Sequence, residues 1–262
     1  MAWQTQYLFG IVDYNFLLFI FASTICSYGF HALLNISELS TNNREKWNYK
    51  NRKHLFVSIV LSGMVVVMTS FYYLDNIFPI LLAFFAAFLY SAPNLSFKPF
   101  IWLRRIAFGK TLYLATVWTT ITGILPIWVN HQNINNQQLL LYVANRFFLV
   151  YAICILFDNR DLQSDRIKGV KTITSFFSKK YIQAIYYCSL IASILIAVGI
   201  NLDGKHLEES IYLIIAPFIG LLLYQKSTQS HGLFYDFGLD GLMMMAAILQ
   251  IIHLNWLKFT TL

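Results

Sequence analysis

The sequence predicts an all-α integral membrane protein, a bundle of about eight spans forming one domain over residues 1–262. Three observations carry that expectation. Hydrophobic residues make up 58% of the chain and charged ones only 12%, with a mean hydropathy of +0.58. That is more apolar surface than one soluble core can hide. Apolar runs recur at the length, roughly 20 helical residues, that crosses about 30 Å of hydrocarbon. The runs are also continuously apolar instead of alternating, which selects helices over a β-barrel.

The runs lie near 15–34, 55–74, 76–92, 106–129, 138–157, 181–200, 209–224 and 239–257. The third and seventh are short, and Pro217 with Gly220 interrupts the seventh. Charge divides the loops between them. Arg44, Lys46, Lys50, Arg52 and Lys53 separate the first two runs, and Lys98, Arg104 and Arg105 separate the third and fourth. Arg160, Arg166, Lys168, Lys171, Lys179 and Lys180 follow the fifth run, and Lys226 follows the seventh. The alternate loops, around 75, 130–137 and 201–208, contribute only Lys205. This positive-inside pattern puts the basic loops in the cytoplasm of a multi-pass protein, expected in the inner (cytoplasmic) cell membrane. Topology thus accounts for most of the net charge of +7, and a nucleic-acid partner is not expected. Cys26, Cys154 and Cys188 sit inside apolar runs without paired spacing, as packing residues do. No basic stretch precedes a short apolar segment, so a cleaved signal peptide is not expected.

Against this background one stretch stands out, "FDNRDLQSDRIKGVKT" at 157–172, which holds three of the twelve acidic residues. Asp158, Asp161 and Asp165 stand at i, i+3 and i+7, within an arc of roughly 60° on a helix. Carboxylates stacked in this way repel one another and call for a counter-charge. A hard divalent cation such as magnesium supplies it and shares its remaining positions with water and phosphate oxygens. Arg160, Arg166, Lys168 and Lys171 add positive charge for an anionic group. The alternative is a solvated loop whose mixed charges neutralise one another. The position directly after a membrane run favours a metal-bridged diphosphate at the mouth of a helical bundle.

These residues resemble the second aspartate-rich motif of the UbiA family of intramembrane prenyltransferases, D-x-x-D-x-x-x-D followed by a basic residue, Gly and Thr. Asp158, Asp161, Asp165, Arg166, Gly169 and Thr172 match in order. "YSAPNLSFKPF" at 90–100 is similar to the family's Y-S-x-P-P…K segment, with Asn94 in place of the second proline. The resemblance implies a nine-helix membrane bundle open sideways to lipid, here short of most of helix one; "MAWQTQYLFG" resembles the tail of that helix. It further implies a magnesium-dependent enzyme that transfers a prenyl group from a prenyl diphosphate to a membrane-embedded acceptor, aromatic or otherwise. On this reading Asp158, Asp161 and Asp165 are catalytic and hold the metal, while Arg166, Lys168, Lys98 and Asn35 contact diphosphate.

One departure bears on activity. The family's first motif, N-D-x-x-D-x-x-x-D, should fall at "NISELSTNN", residues 35–43. Asn35 matches, but Ile36, Leu39 and Asn43 occupy the aspartate positions, and no aspartate lies between Asp13 and Asp75. Asn35 and Glu38 are the remaining plausible oxygen ligands there, with His31 one turn before Asn35. A non-catalytic relative that binds an isoprenoid or scaffolds a partner is therefore the alternative. Two further polar features are open at this level. Asp236 and Asp240 either start the last helix or line the same mouth. Arg146, two turns into the fifth run, either snorkels outward or pairs with an acid inside the bundle.

Overall fold

A computed structural model describes residues 1–34, 36, 43–91, 109–131, 134–167, 172–200, 207–227 and 238–260, and every regular element among them is helical. In chain order these are α1 (Ala2–Leu8), α2 (Tyr14–Leu34), α3 (Asn43–Lys50), α4 (Arg52–Ser70), α5 (Ile77–Ser91) and α6 (Gly109–Thr119). There follow α7 (Leu125–Val129), α8 (Asn136–Ile167), α9 (Ile173–Phe176), α10 (Lys179–Ile200), α11 (Leu207–Ser227) and α12 (Asp240–Thr260). Five segments among the described residues are long and apolar enough to cross a bilayer: Tyr14–Leu34, Arg52–Tyr90, Lys110–Val129, Asn136–Leu162 and Lys179–Ile200. The sequence had suggested eight. The second and third runs are counted there as one stretch because a 3-10 turn over Phe71–Asn76 joins their two helices without a loop, and the seventh, Ser210–Tyr224, is shorter. The eighth lies within α12, which is not among the five. The chain divides into two compact units, the first made of Met1–Ile11, Phe108–Gln163 and Thr172–Leu262, the second of Val12–Ala107 and Ser164–Lys171.

In the second unit α2 packs along α4. Gly29 permits the approach: a Cβ there would lie 2.7 Å from Cγ1 of Ile59. Between α4 and α5 the chain does not unfold into a loop. A 3-10 turn over Phe71–Asn76, with Tyr73 at φ −124° and ψ 29°, joins them. Asp13 fixes that turn. Its Oδ1 accepts the backbone N–H of Phe16 at 2.9 Å, starting α2, and the Tyr73 hydroxyl at 2.8 Å. At the other end of α2, His31 stacks on Tyr90 with ring centroids 5.4 Å apart. Because Tyr73 meets the start of α2 and Tyr90 its end, α5 doubles back alongside α2, antiparallel to α4.

In the first unit α8 is the axis. Leu149, Val150, Ala152, Ile153, Ile155 and Leu156 are sealed on every side of the helix, the pattern of an element surrounded by others. Tyr186 and Leu190 of α10, Ala216 and Tyr224 of α11, and Leu242 of α12 pack around it. Polar ties lock this apolar packing. Asn145 Nδ2 donates to the Ser193 carbonyl at 2.7 Å, and Ser193 Oγ returns a bond to the Asn145 carbonyl at 3.1 Å. The Tyr186 hydroxyl donates to the Gly220 carbonyl at 2.6 Å. A Cβ at Gly220 would stand 3.1 Å from Leu190 Cδ1. Gly220→Leu is therefore expected to overpack the α10–α11 contact and cost about 1–3 kcal/mol, read as a lower unfolding temperature in detergent.

Proline chemistry explains the break after α6. Pro126 has no N–H to offer the carbonyl four residues earlier, that of Thr122, and the helix widens into a π turn over Thr120–Ile124. The freed Thr122 carbonyl accepts the Thr5 hydroxyl of α1 at 2.7 Å. Since Thr5 donates there, the Tyr142 hydroxyl of α8 donates to Thr5 across 2.9 Å. A single chain of hydrogen bonds thus ties α1, the π turn and α8 together.

Candidate functional site

α8 runs for 32 residues, about 48 Å at the helical rise, well beyond a hydrocarbon core of about 30 Å. Its last three turns carry Asp158, Asp161 and Asp165, so the expected i, i+3, i+7 face exists on one unbroken helix. The three carboxylates have different surroundings, however. Asp158 is buried. Its Oδ2 accepts the hydroxyl of Thr111, and its Oδ1 lies 3.9 Å from Lys110 Nζ. Both partners come from the first turn of α6. The Thr174 hydroxyl reaches the Asp158 backbone carbonyl at 3.4 Å. Thr172 and Ser175 form a capping box that starts α9 in this position, and Thr172 is fully buried.

Asp161 is more exposed. It is clamped by its neighbour Arg160, whose Nε and Nη2 donate to Oδ1 and Oδ2 at 2.8 and 2.9 Å. The Arg160 guanidinium lies 4.9 Å above the Phe157 ring, which holds the fork in place. Asp165 is buried and belongs with the second unit, while Arg166 is exposed in the last turn of α8. Lys168, Lys98 and Asn35 lie outside the described residues, as do Glu38 and Asp236. Asp240 is described and opens α12 as a first-turn acid, exposed, where the helix dipole favours it.

The donor set bears on whether a metal ion resides here. Among the described residues no group of three or more His, Cys, Asp or Glu side chains is placed to hold one. Asp158 is engaged by a lysine and a threonine, and Asp161 by an arginine fork, so these carboxylates already have positive charge or donors against them. The counter-charge that the sequence demands is met, in part, by Lys110 and Arg160. Lys110 escaped the sequence reading because its partner is 48 positions away. The one available signal was a lone cation in the first turn of an apolar run.

A second polar centre lies inside the first unit. Arg146 is 1% exposed and neither snorkels nor pairs with a described acid. Its Nη2 donates to Gln4 Oε1, its Nε donates to the Tyr142 hydroxyl at 3.3 Å, and its guanidinium lies 5.3 Å from the Tyr142 ring. Among the described residues, Arg146 Nη1 and Gln4 Nε2 have no hydrogen-bond partner. The reason is local: α1 brings two neutral side chains, Gln4 and Thr5, against α8 at this level. Cys26, Cys154 and Cys188 are all free thiols.

Compared with known families, curated proteins and solved structures, the chain matches none of them. The likeness to UbiA proteins accordingly rests on the motif residues alone.

Proposed function

We propose that the chain is a multi-pass membrane protein that binds an isoprenoid diphosphate at the end of α8. On this reading it passes the prenyl group to a membrane-embedded acceptor, as UbiA-like prenyltransferases do. One observation supports this above the rest. Three aspartates crown a helix whose preceding turns are buried in apolar packing, and Lys110 and Thr111 are set against the first of them. A head group bearing several negative charges would meet cations there, while an isoprenoid tail would find apolar surroundings a few turns away. Lys110 would stabilise the departing diphosphate electrostatically. Magnesium would enter this proposal only together with the diphosphate, and Asp158 and Asp161 would then have to exchange Lys110, Thr111 and Arg160 for the ion.

A second reading, a non-catalytic isoprenoid-binding or scaffold protein, is favoured by Ile36, Leu39 and Asn43 at the positions of the first motif. A non-hydrolysable prenyl diphosphate analogue, titrated into the detergent-purified chain with and without magnesium, tests both. Magnesium-dependent binding that weakens about tenfold or more in Asp161→Asn is the expected result, equal to the loss of about one charge-assisted contact. Folded protein that binds no analogue in either condition would sink the proposal. Binding without turnover of any offered acceptor would favour the second reading.

A further inference from the structure

We propose that the groove between α2 and α4 seats one anionic phospholipid, with its head group at Arg52 and Lys53 and an acyl chain running toward Val65. The inference rests on the membrane reading above but not on prenyl transfer. Two cavities lie along this helix pair. The upper one, about 510 Å³, is lined by Leu33 in the last turn of α2, by Ile36 beyond it, and by Arg52, Lys53, Phe56 and Val57 from the start of α4. The lower one, about 410 Å³, continues from Val57 past Leu18, Phe21, Ile25 and Leu61 to Val65. Val57 borders both.

The two together have the polarity of an amphiphile. Arg52 and Lys53 stand at one end, the walls beyond them are mostly apolar with His54, Ser58 and Ser62 among them, and among the described residues no acid lines either cavity. From Arg52 to Val65 the helix rises about 20 Å, roughly one leaflet of a hydrocarbon core about 30 Å thick together with part of its head-group layer. The flanking chemistry suits that depth. Residues 43–54 hold five basic residues and one acid, and Trp47 in α3 is exposed, as interfacial tryptophans are. The Arg52 guanidinium lies 4.7 Å over the Tyr49 ring, which orients it without consuming its charge. An anionic leaflet attracts such clusters.

A reacting prenyl diphosphate suits this groove poorly. Phe21, Val57 and Leu61 are each more than half exposed, whereas a leaving diphosphate and its electron-deficient partner require exclusion of water. A resident lipid needs only an open slot whose outer side other lipids cover.

The test uses the full chain in nanodiscs of equal phosphatidylglycerol and phosphatidylcholine, released into detergent, with retained lipids counted by native mass spectrometry. Phosphatidylglycerol should be retained preferentially. Arg52→Gln/Lys53→Gln should lower its ratio to phosphatidylcholine about thirtyfold, from roughly fivefold for each basic residue near an anionic surface. Leu61→Trp, which fills the lower groove and leaves the cations, should reduce retained lipid severalfold without changing the unfolding temperature. Equal retention of the two lipids, or a ratio unchanged in the double variant, would overturn the proposal. Displacement of phosphatidylglycerol by a prenyl diphosphate analogue would also overturn it, by making the groove a substrate site. Asp161→Asn should keep the lipid ratio of the parent chain; analogue binding absent with that ratio intact would remove the prenyltransferase reading alone.

Discussion

Lys110→Met is expected to destabilise the protein more than Asp158→Asn does, although the two substitutions break the same ion pair. The lysine variant removes the cation beside a buried carboxylate that keeps its hydrogen bond from Thr111. The asparagine variant removes the buried charge, keeps an oxygen for Thr111, and leaves a lysine that is 27% exposed and can turn to water. Orphaning a buried charge costs about 3–5 kcal/mol when the pair is wholly desolvated. Here the 3.9 Å separation and the partly exposed lysine reduce that to about 2 kcal/mol. Thermal unfolding in detergent of both single variants and the double variant forms the cycle that checks it. Lys110→Met/Asp158→Asn should be more stable than Lys110→Met. Additive losses would mean that the two groups do not interact. The same variants separate stability from binding: Asp158→Asn should lose the prenyl diphosphate analogue while remaining folded.

Gln4→Leu should be the more damaging change in the interior of the first unit. It removes the acceptor of a buried, charge-assisted hydrogen bond and leaves Arg146 with Tyr142 alone, a loss of about 2–3 kcal/mol. For a chain of this size that lowers the unfolding midpoint by about 6–10 °C. The companion prediction runs in the opposite direction. Gln4→Leu/Arg146→Met exchanges both polar partners for apolar side chains of similar volume and should recover most of the loss, because an uncompensated buried guanidinium carries a heavy desolvation penalty. If the double variant is less stable than Gln4→Leu, Arg146 contributes through contacts other than those with α1 and Tyr142.

What could be read in advance follows the range of the interaction concerned. The aspartate face of α8 was legible because i, i+3 and i+7 positions are set by helical geometry and nothing else. The cysteines were half legible: Cys154 is buried as a packing residue is, whereas Cys188 is exposed. The α4–α5 junction was only half legible. Composition locates a break near residue 75, but a 3-10 turn held by Asp13 from 60 positions upstream has no signature in the segment itself. The partners of Asp158 and Arg146 were not legible for the same reason. Lys110 and Gln4 are 48 and 142 positions away from them, and only the tertiary arrangement makes an ordinary lysine or glutamine the answer to a buried charge. Pro126 lies between these cases. Its lack of an N–H predicts a freed carbonyl at Thr122, while the identity of the group that fills it, Thr5, belongs to the fold.

The length of α8 works as a ruler. Turns near 149–156 are gripped on all sides, and Asp158 and Asp161 follow on the same helix with no glycine or proline between. Their height and their compass bearing are therefore dictated by packing two turns below, not by the loops around them. Each residue along the rod adds about 1.5 Å of height and about 100° of rotation, so the apolar grip and the acidic crown cannot drift independently. Evolution can lengthen or shorten the surrounding loops freely, but any insertion between Leu156 and Asp158 would turn the carboxylates away from Lys110 in a single step.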